Sequence, residues 1–174
     1  EVLVGPGMYE RKIEHGAVIV ATGAEEYRPT EFLYGRDPRV MTQVELGQRL
    51  ELQGAEDFSS VVMIQCVGSR NEDHPNCSRV CCQSAVKNAL HIKAENPDAK
   101  VYILYRDLRT YGLLEKYYTE ARRQGILFFQ FEPDAPPEVS VDGDDLRVVF
   151  RDHILHRDVA VSADALVLSA GMRP

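Results

Sequence analysis

The stretch "SVVMIQCVGSRNEDHPNCSRVCCQSAVKNAL", residues 60–90, decides the fold and contains all four cysteines of this 174-residue chain. Residues 60–68 are mostly apolar and rich in β-branched side chains, as in a strand buried inside a parallel sheet. A polar loop with Pro75 follows, and apolar residues then recur at helical spacing as far as Asn96-Pro97. The pattern predicts a strand, a long loop and a helix capped by Asn76 or Ser78.

The same alternation of strands and helices extends to both sides of this stretch. A buried strand is predicted within residues 16–29, and a short helix at 42–51 begins with the capping pair Thr42 and Glu45. The further predicted elements are a strand at 100–105, a helix at 113–124 ended by Gly125, and a strand at 126–131. Alternating units of this kind favour a parallel sheet with right-handed crossovers.

The last part of the chain has a different pattern. Two short runs flank Asp142-Gly143, which is a hairpin signal, and residues 158–171 provide two more strands. The sequence therefore predicts an α/β fold with a Rossmann-like parallel sheet, flanking helices and a β-meander.

Composition limits the possible partners. The net charge is -7, and Lys and Arg are nowhere dense enough to form a phosphate-binding stripe, so no nucleic-acid partner is predicted. No apolar run reaches the roughly 20 residues of a membrane helix, and residues 1–16 lack the features of a secretory signal. We expect a cytoplasmic protein. Because the chain opens on Glu1 and ends on Pro174, we also expect it to be part of a longer protein.

A dinucleotide-binding domain would place G-x-G-x-x-G directly after the strand at residues 60–68, so that backbone N–H groups approach the pyrophosphate. At this position only Gly68 is a glycine, and a long polar loop follows. The sequence therefore predicts that another group uses this crevice.

The cysteines are candidate metal ligands at the carboxyl end of that strand and near the start of the next helix. They are spaced C-x10-C-x3-C-C, at Cys66, Cys77, Cys81 and Cys82. Four cysteines are compatible with a [4Fe–4S] cluster, with a tetrahedral zinc site, or with thiols that bind no metal. Disulfides are disfavoured in the cytoplasm. Structural zinc usually uses paired C-x2–4-C knuckles, which are absent, so the spacing favours iron–sulfur without excluding the alternatives.

The stretch quoted first resembles the cysteine-rich signature of the heterodisulfide reductase A subunit and its relatives, among them flavoprotein subunits of quinone-interacting oxidoreductase complexes. Residues 15–35 ("HGAVIVATGAEEYRPTEFLYG"), 101–112 ("VYILYRDLRTYG") and 163–171 ("ADALVLSAG") are similar to the same family. The resemblance extends over nearly the whole chain.

The resemblance implies part of a thioredoxin-reductase-like flavoprotein core. Residues 1–58 would be a partial flavin-domain segment with its connection, and 59–174 a nicotinamide-type Rossmann domain. The latter would hold a [4Fe–4S] cluster through Cys66, Cys77, Cys81 and Cys82 instead of a pyridine nucleotide. In the longer protein FAD would lie near Thr22 and Gly23, and Gly171 ends a weaker copy of the same strand-and-turn element.

By the same resemblance the chain would be an oxidoreductase subunit that passes electrons between the cluster and FAD within a multi-subunit complex. Two alternatives stay open. One is an NAD(P)H-dependent flavoprotein disulfide oxidoreductase with a cysteine redox pair, and the other is a zinc-stabilised interaction domain. Arg106 and Arg109 are expected to be solvated partners of Asp107 or helix-terminal charges.

Overall fold

The computed structural model describes residues 2–5, 7 and 11–173. A short 3₁₀ helix spans Gly112–Leu114. The helices are α1 (Gln43–Gln53), α2 (Cys81–Glu95) and α3 (Glu115–Arg123). The strands are β1 (Val2–Val4), β2 (Arg11–Ile13), β3 (Glu25–Glu26), β4 (Val40–Thr42), β5 (Ser60–Val67), β6 (Lys100–Tyr105), β7 (Leu127–Gln130), β8 (Glu138–Asp142), β9 (Asp145–Asp152), β10 (Arg157–Ala163), β11 (Ala165–Ala170) and β12 (Met172–Arg173).

A five-stranded parallel sheet forms the centre of the fold, in the order β4-β11-β5-β6-β7. The antiparallel meander β8-β9-β10 is a separate three-stranded sheet. These sheets confirm the predicted α/β class with a Rossmann-like parallel sheet and a β-meander. The pattern did not show that β11 returns from the meander to lie between β4 and β5.

The two faces of the parallel sheet pack against different layers. Val61 and Met63 of β5 point into a core shared with the three helices. Val62 and Ile64 point into a second core, which includes Leu146 of the meander. Because β5 is covered on both faces, its apolar residues are continuous rather than alternating.

The start of α1 is as the sequence predicts. The Thr42 hydroxyl accepts a hydrogen bond from the Glu45 N–H at 3.3 Å, and the Glu45 carboxylate accepts one from the Thr42 N–H at 2.7 Å. This capping box satisfies two backbone donors and fixes the direction in which α1 leaves β4.

The buried strand predicted within residues 16–29 is wrong. Residues 14–24 form no strand, and Ile19 is 90% exposed. Only Glu25–Glu26 pair, antiparallel to Met172–Arg173. A strand needs a hydrogen-bonded neighbour as well as an apolar pattern, and the described chain places none beside residues 17–21.

The predicted side-chain cap of α2 is also wrong. The helix begins at Cys81 after Val80, without a capping side chain. Ser78 instead accepts a hydrogen bond from the Met172 N–H at 2.7 Å, which ties the cysteine loop to the chain after β11. The predicted end of α2 at Asn96 is confirmed.

Two further observations concern the extent of the fold. In the described ranges, no helix has both the length and the apolarity that crossing a membrane would require. The domain boundary between residues 58 and 59 stays a prediction about the longer protein. In the structure, β4 and α1, which precede that boundary, belong to the central sheet and its helical layer.

Candidate metal centre

The candidate site lies at the carboxyl edge of the parallel sheet, where three elements meet. Cys66 is near the end of β5, Cys81 and Cys82 are the first two residues of α2, and Asp107 follows β6. Because a helix N-terminus carries partial positive charge, it favours the thiolate form of a cysteine placed there. The fold thus brings cysteines from two elements to a site with a favourable field.

All four predicted cysteine ligands line one pocket, and all four are free thiols. Cys66 lies in left-handed backbone at φ 65°, and its carbonyl accepts a hydrogen bond from the Ser69 N–H at 3.3 Å. This tight turn ends β5 and begins the loop that carries Cys77 towards α2. The structure thus brings the four predicted ligands to one pocket, and their role as metal ligands stays a prediction.

Each thiol has a nearby polar partner. The Cys81 S–H donates to the Ala170 carbonyl at 3.3 Å, and the Arg79 N–H donates to Cys77 Sγ at 3.4 Å. The Cys82 S–H points to the Asp107 carbonyl at a longer 3.8 Å. The sulfur atoms are therefore held between the end of β11, the cysteine loop and the segment after β6.

Burial controls the ionisation of three of these thiols. It raises the pKa of Cys81 to about 11, and the neighbouring Cys82, Cys66 and Cys77 contribute to that rise in that order. Burial likewise raises the pKa of Cys66, against a hydrogen bond from Arg70, and that of Cys82, against a backbone hydrogen bond from Arg109. Without a bound cation these thiols hold their protons at neutral pH, so metal binding must release protons.

The thiols are gathered but do not form a ready site for one ion. Among the described residues, no three His, Cys, Asp or Glu side chains lie close enough together to hold a single metal ion. The pocket that the thiols line has a volume of about 10 Å³. The space between the thiols is therefore narrow, and residues 71–76 of the loop before α2 are exposed.

The glycines at this edge serve packing inside the protein. A Cβ on Gly68 would lie 2.0 Å from Cδ1 of Tyr27, so the Tyr27 ring covers the backbone that a pyrophosphate would approach. A Cβ on Gly171 would lie 2.9 Å from the Ser69 Cβ, and the Gly171 carbonyl accepts a hydrogen bond from the Tyr27 N–H at 2.7 Å. The Tyr27 ring therefore blocks most of the path by which a nucleotide would reach the Gly68 backbone.

Of the three residues predicted to bind FAD, Gly171 lies at this edge beside Ser69, whereas Thr22 and Gly23 do not line the thiol pocket. Thr22 and Gly23 are exposed and belong to no strand, and Gly23 has φ 77°. Gly171 is buried and directly follows β11. Their role in binding FAD stays a prediction.

Sequence reasoning considered Arg106 and Arg109 but missed Arg70 and Arg79, which line the cysteine pocket. Arg70 donates from Nη1 to Cys66 Sγ at 3.8 Å and also pairs with the Asp107 carboxylate. Arg109 lies 3.8 Å from that carboxylate, as expected, whereas Arg106 donates to the Arg70 carbonyl at 2.8 Å. Arg70 stands four residues after Cys66, and that spacing was the signal available in the sequence.

The sequence of this chain is similar to those of known reductase subunits. No family model matches the chain. The chain is 37% identical over 185 residues to the A subunit of the H(2):CoB-CoM heterodisulfide,ferredoxin reductase of Methanothermobacter marburgensis, and the match covers 95% of this chain. It is 36% identical, over the whole of this chain, to the iron-sulfur A subunit of the CoB--CoM heterodisulfide reductase of Methanocaldococcus jannaschii.

The chain is homologous to part of the heterodisulfide reductase A subunit. This confirms the resemblance seen in the sequence. The chain spans 28% of the Methanothermobacter marburgensis protein and 30% of the Methanocaldococcus jannaschii protein. Both relatives are named as reductase subunits, and the second is named an iron-sulfur subunit.

Solved structures support the fold of this chain. The thioredoxin reductase of Lactococcus lactis has a TM-score of 0.53 at 20% identity, with 88% of this chain and 44% of that chain covered. The L-lysine 6-monooxygenase of Pseudomonas syringae has a TM-score of 0.57 at 12% identity, covering 88% of this chain and 45% of that chain. At these identities the likeness concerns the fold alone, and it agrees with the expected thioredoxin-reductase-like core.

Proposed function

We propose that this chain is the cluster-binding module of an oxidoreductase subunit similar to that of heterodisulfide reductase. Cys66, Cys77, Cys81 and Cys82 would hold a [4Fe–4S] cluster. In the longer protein the module would exchange electrons with FAD bound near Thr22 and Gly23. It would work in the cytoplasm with other subunits.

The observation that carries this proposal is the shared pocket of four free thiols at the carboxyl edge of the sheet. A cluster bonds each thiolate to a different iron, so it spreads the sulfur atoms more widely than a single ion does. The donor set therefore suits a cluster better than one zinc ion, for which the described side chains offer no close group.

The chain's own residues would support the cluster in three ways. The start of α2 and the nearby guanidinium of Arg70 would partly offset the burial that opposes ionisation of the thiols. The Arg79 N–H donates to Cys77 Sγ, a contact of the kind that tunes cluster potentials. Burial between β5 and α2 limits access of water. When bound, such a cluster supplies single-electron chemistry.

Tyr27 disfavours the alternative of a directly bound pyridine nucleotide. Its ring occupies the approach to Gly68, where a dinucleotide-binding domain would keep the backbone open. A dithiol redox centre would also need an electron source at this edge. We therefore assign the cysteines to a metal cluster rather than to a redox disulfide.

The test is anaerobic reconstitution of the chain with iron and sulfide. We expect about four iron and four sulfide per chain, brown colour bleached by dithionite, and an EPR signal on reduction. Cys81→Ala should lose most of the iron and sulfide, whereas Ser84→Ala, one turn further along α2, should load as the wild type does. A colourless protein that retains one zinc, or equal loading of Cys81→Ala and wild type, would overturn the proposal.

A further inference from the structure

Positive charge is concentrated around the candidate metal centre. Arg70, Arg79 and Arg109 line the same pocket as the four thiols. In the described part of the chain, Arg70 is the arginine whose guanidinium is hydrogen-bonded to a cysteine sulfur, with Nη1 3.8 Å from Cys66 Sγ. A full positive charge thus contacts one predicted cluster ligand.

A left-handed backbone conformation and two contacts hold Arg70 in this position. Its backbone is left-handed at φ 57°, which turns the chain back towards Cys66. Arg106 donates from Nη1 to the Arg70 carbonyl at 2.8 Å, and the Asp107 carboxylate pairs with Arg70 Nη2. The Arg70 side chain is only 17% exposed, whereas the Asp107 side chain is 53% exposed. Water therefore screens Asp107 more than it screens Arg70.

We propose that Arg70 sets the reduction potential of the bound cluster by placing its guanidinium against Cys66, and that Asp107 positions Arg70 and partly offsets its charge. This inference rests on the proposed function. In the reduction step one electron enters the cluster from an external reductant such as dithionite. No bond is formed or broken at Arg70, and no proton moves there.

The direction of the effect follows from electrostatics. Reduction adds one negative charge to a group that four thiolates already make negative, so a nearby cation stabilises the reduced form more than the oxidised form. Arginine keeps its proton throughout the accessible pH range, so its contribution is constant with pH. Arg70 should raise the potential, and the Asp107 carboxylate should lower it.

The experiment is a potentiometric titration of the reconstituted chain, followed by EPR. Arg70→Gln should lower the equilibrium constant for reduction of the cluster about tenfold. For one electron this corresponds to a midpoint potential that is ~59 mV more negative. Arg70→Lys keeps the charge and should shift the midpoint less. Asp107→Asn should shift it in the opposite direction, to more positive potential. Arg151→Gln, which removes a charge that pairs with Asp158 in the meander, should leave it unchanged.

Iron and sulfide content separates failure of this inference from failure of the proposed function. If the wild type does not load, the proposed function is wrong. If Arg70→Gln loads normally and titrates like the wild type, the cluster stands and the inference is overturned. If Arg70→Gln does not load, the midpoint potential of Asp107→Asn provides the test. A midpoint in Asp107→Asn that equals that of the wild type, or is more negative, overturns the inference. Loss of loading in both variants would make this ion pair structural and would also overturn it.

Discussion

The Tyr27 ring lies directly against the α-carbon of Gly68, so closely that a Cβ on this glycine would be 2.0 Å from Cδ1 of the ring. Gly68 also has φ 65°, in the left-handed region. Tyr27 comes from the segment before the central sheet, and Gly68 follows β5. Their contact, with the hydrogen bond from Tyr27 to Gly171, fixes that segment over the end of the sheet.

Gly68→Ala should therefore destabilise the protein for two reasons, strain at positive φ and overlap with Tyr27. We expect a loss of roughly 2–5 kcal/mol in the free energy of unfolding, measured by urea denaturation. Gly143→Ala is the matched control, because Gly143 has φ 60° but open space where its Cβ would be. The control should lose only about 1–2 kcal/mol. Equal losses in the two variants would contradict the importance of the Tyr27 contact.

Thr42→Ala should weaken α1, because the variant loses the hydroxyl that accepts from the Glu45 N–H, and it also loses the bond that this hydroxyl donates to Glu26. The expected loss is about 1 kcal/mol of unfolding free energy, measured by thermal or urea unfolding. Thr119→Ala is the control. Thr119 is an exposed residue inside α3, where alanine favours the helix, so this variant should be neutral or slightly stabilising. Similar losses at both positions would argue against the capping box as the cause.

Glu26 should make stability depend on pH in the opposite direction to a typical paired carboxylate. Burial raises its pKa, against a hydrogen bond from Thr42. The folded state then holds the proton more tightly than the unfolded state, so this stabilisation is complete below the unfolded pKa and is lost as pH rises through the folded pKa. Glu26→Gln should therefore be more stable than the wild type at pH 7 and lose that advantage below about pH 4.

The measurement for Glu26→Gln is the free energy of unfolding between pH 3 and pH 8. Glu25→Gln, at the adjacent exposed position, controls for the change in net charge. A glutamine variant that is less stable at pH 7 than the wild type would show that the hydrogen bond from Thr42 outweighs the cost of burying the carboxylate.

Elements with a complete local signal could be predicted from the sequence. The α1 capping box, β5, β6 and the end of α2 depend on nearby residues, and the structure has them where the pattern placed them. The place of β11 could not be predicted, because it depends on pairing with strands more than a hundred residues earlier. Ser78 was misread as a cap because its partner, the Met172 N–H, is distant in sequence.

The candidate site shows the same division between local and distant information. The cysteines share one strand-loop-helix unit, so their meeting at one edge could be predicted. The contact of Arg70 with Asp107 crosses from the loop after β5 to the end of β6, and no periodicity indicates it. The contact of the Tyr27 ring with Gly68 could not be predicted either, because it joins two loops and no repeated sequence pattern indicates it.

The apolar run at residues 17–21 should make the isolated chain associate with itself. Val18, Ile19 and Val20 are all exposed and uncharged, which is the pattern of an aggregation-prone segment. Ile19→Lys places a charge in the middle of the run and should increase the monomer fraction in sedimentation velocity. Its unfolding free energy should not change, because Ile19 is 90% exposed. Ile154→Lys, at an 89% exposed residue in the β9–β10 turn, is the control and should not change association. If Ile19→Lys associates as strongly as the wild type, another surface drives self-association.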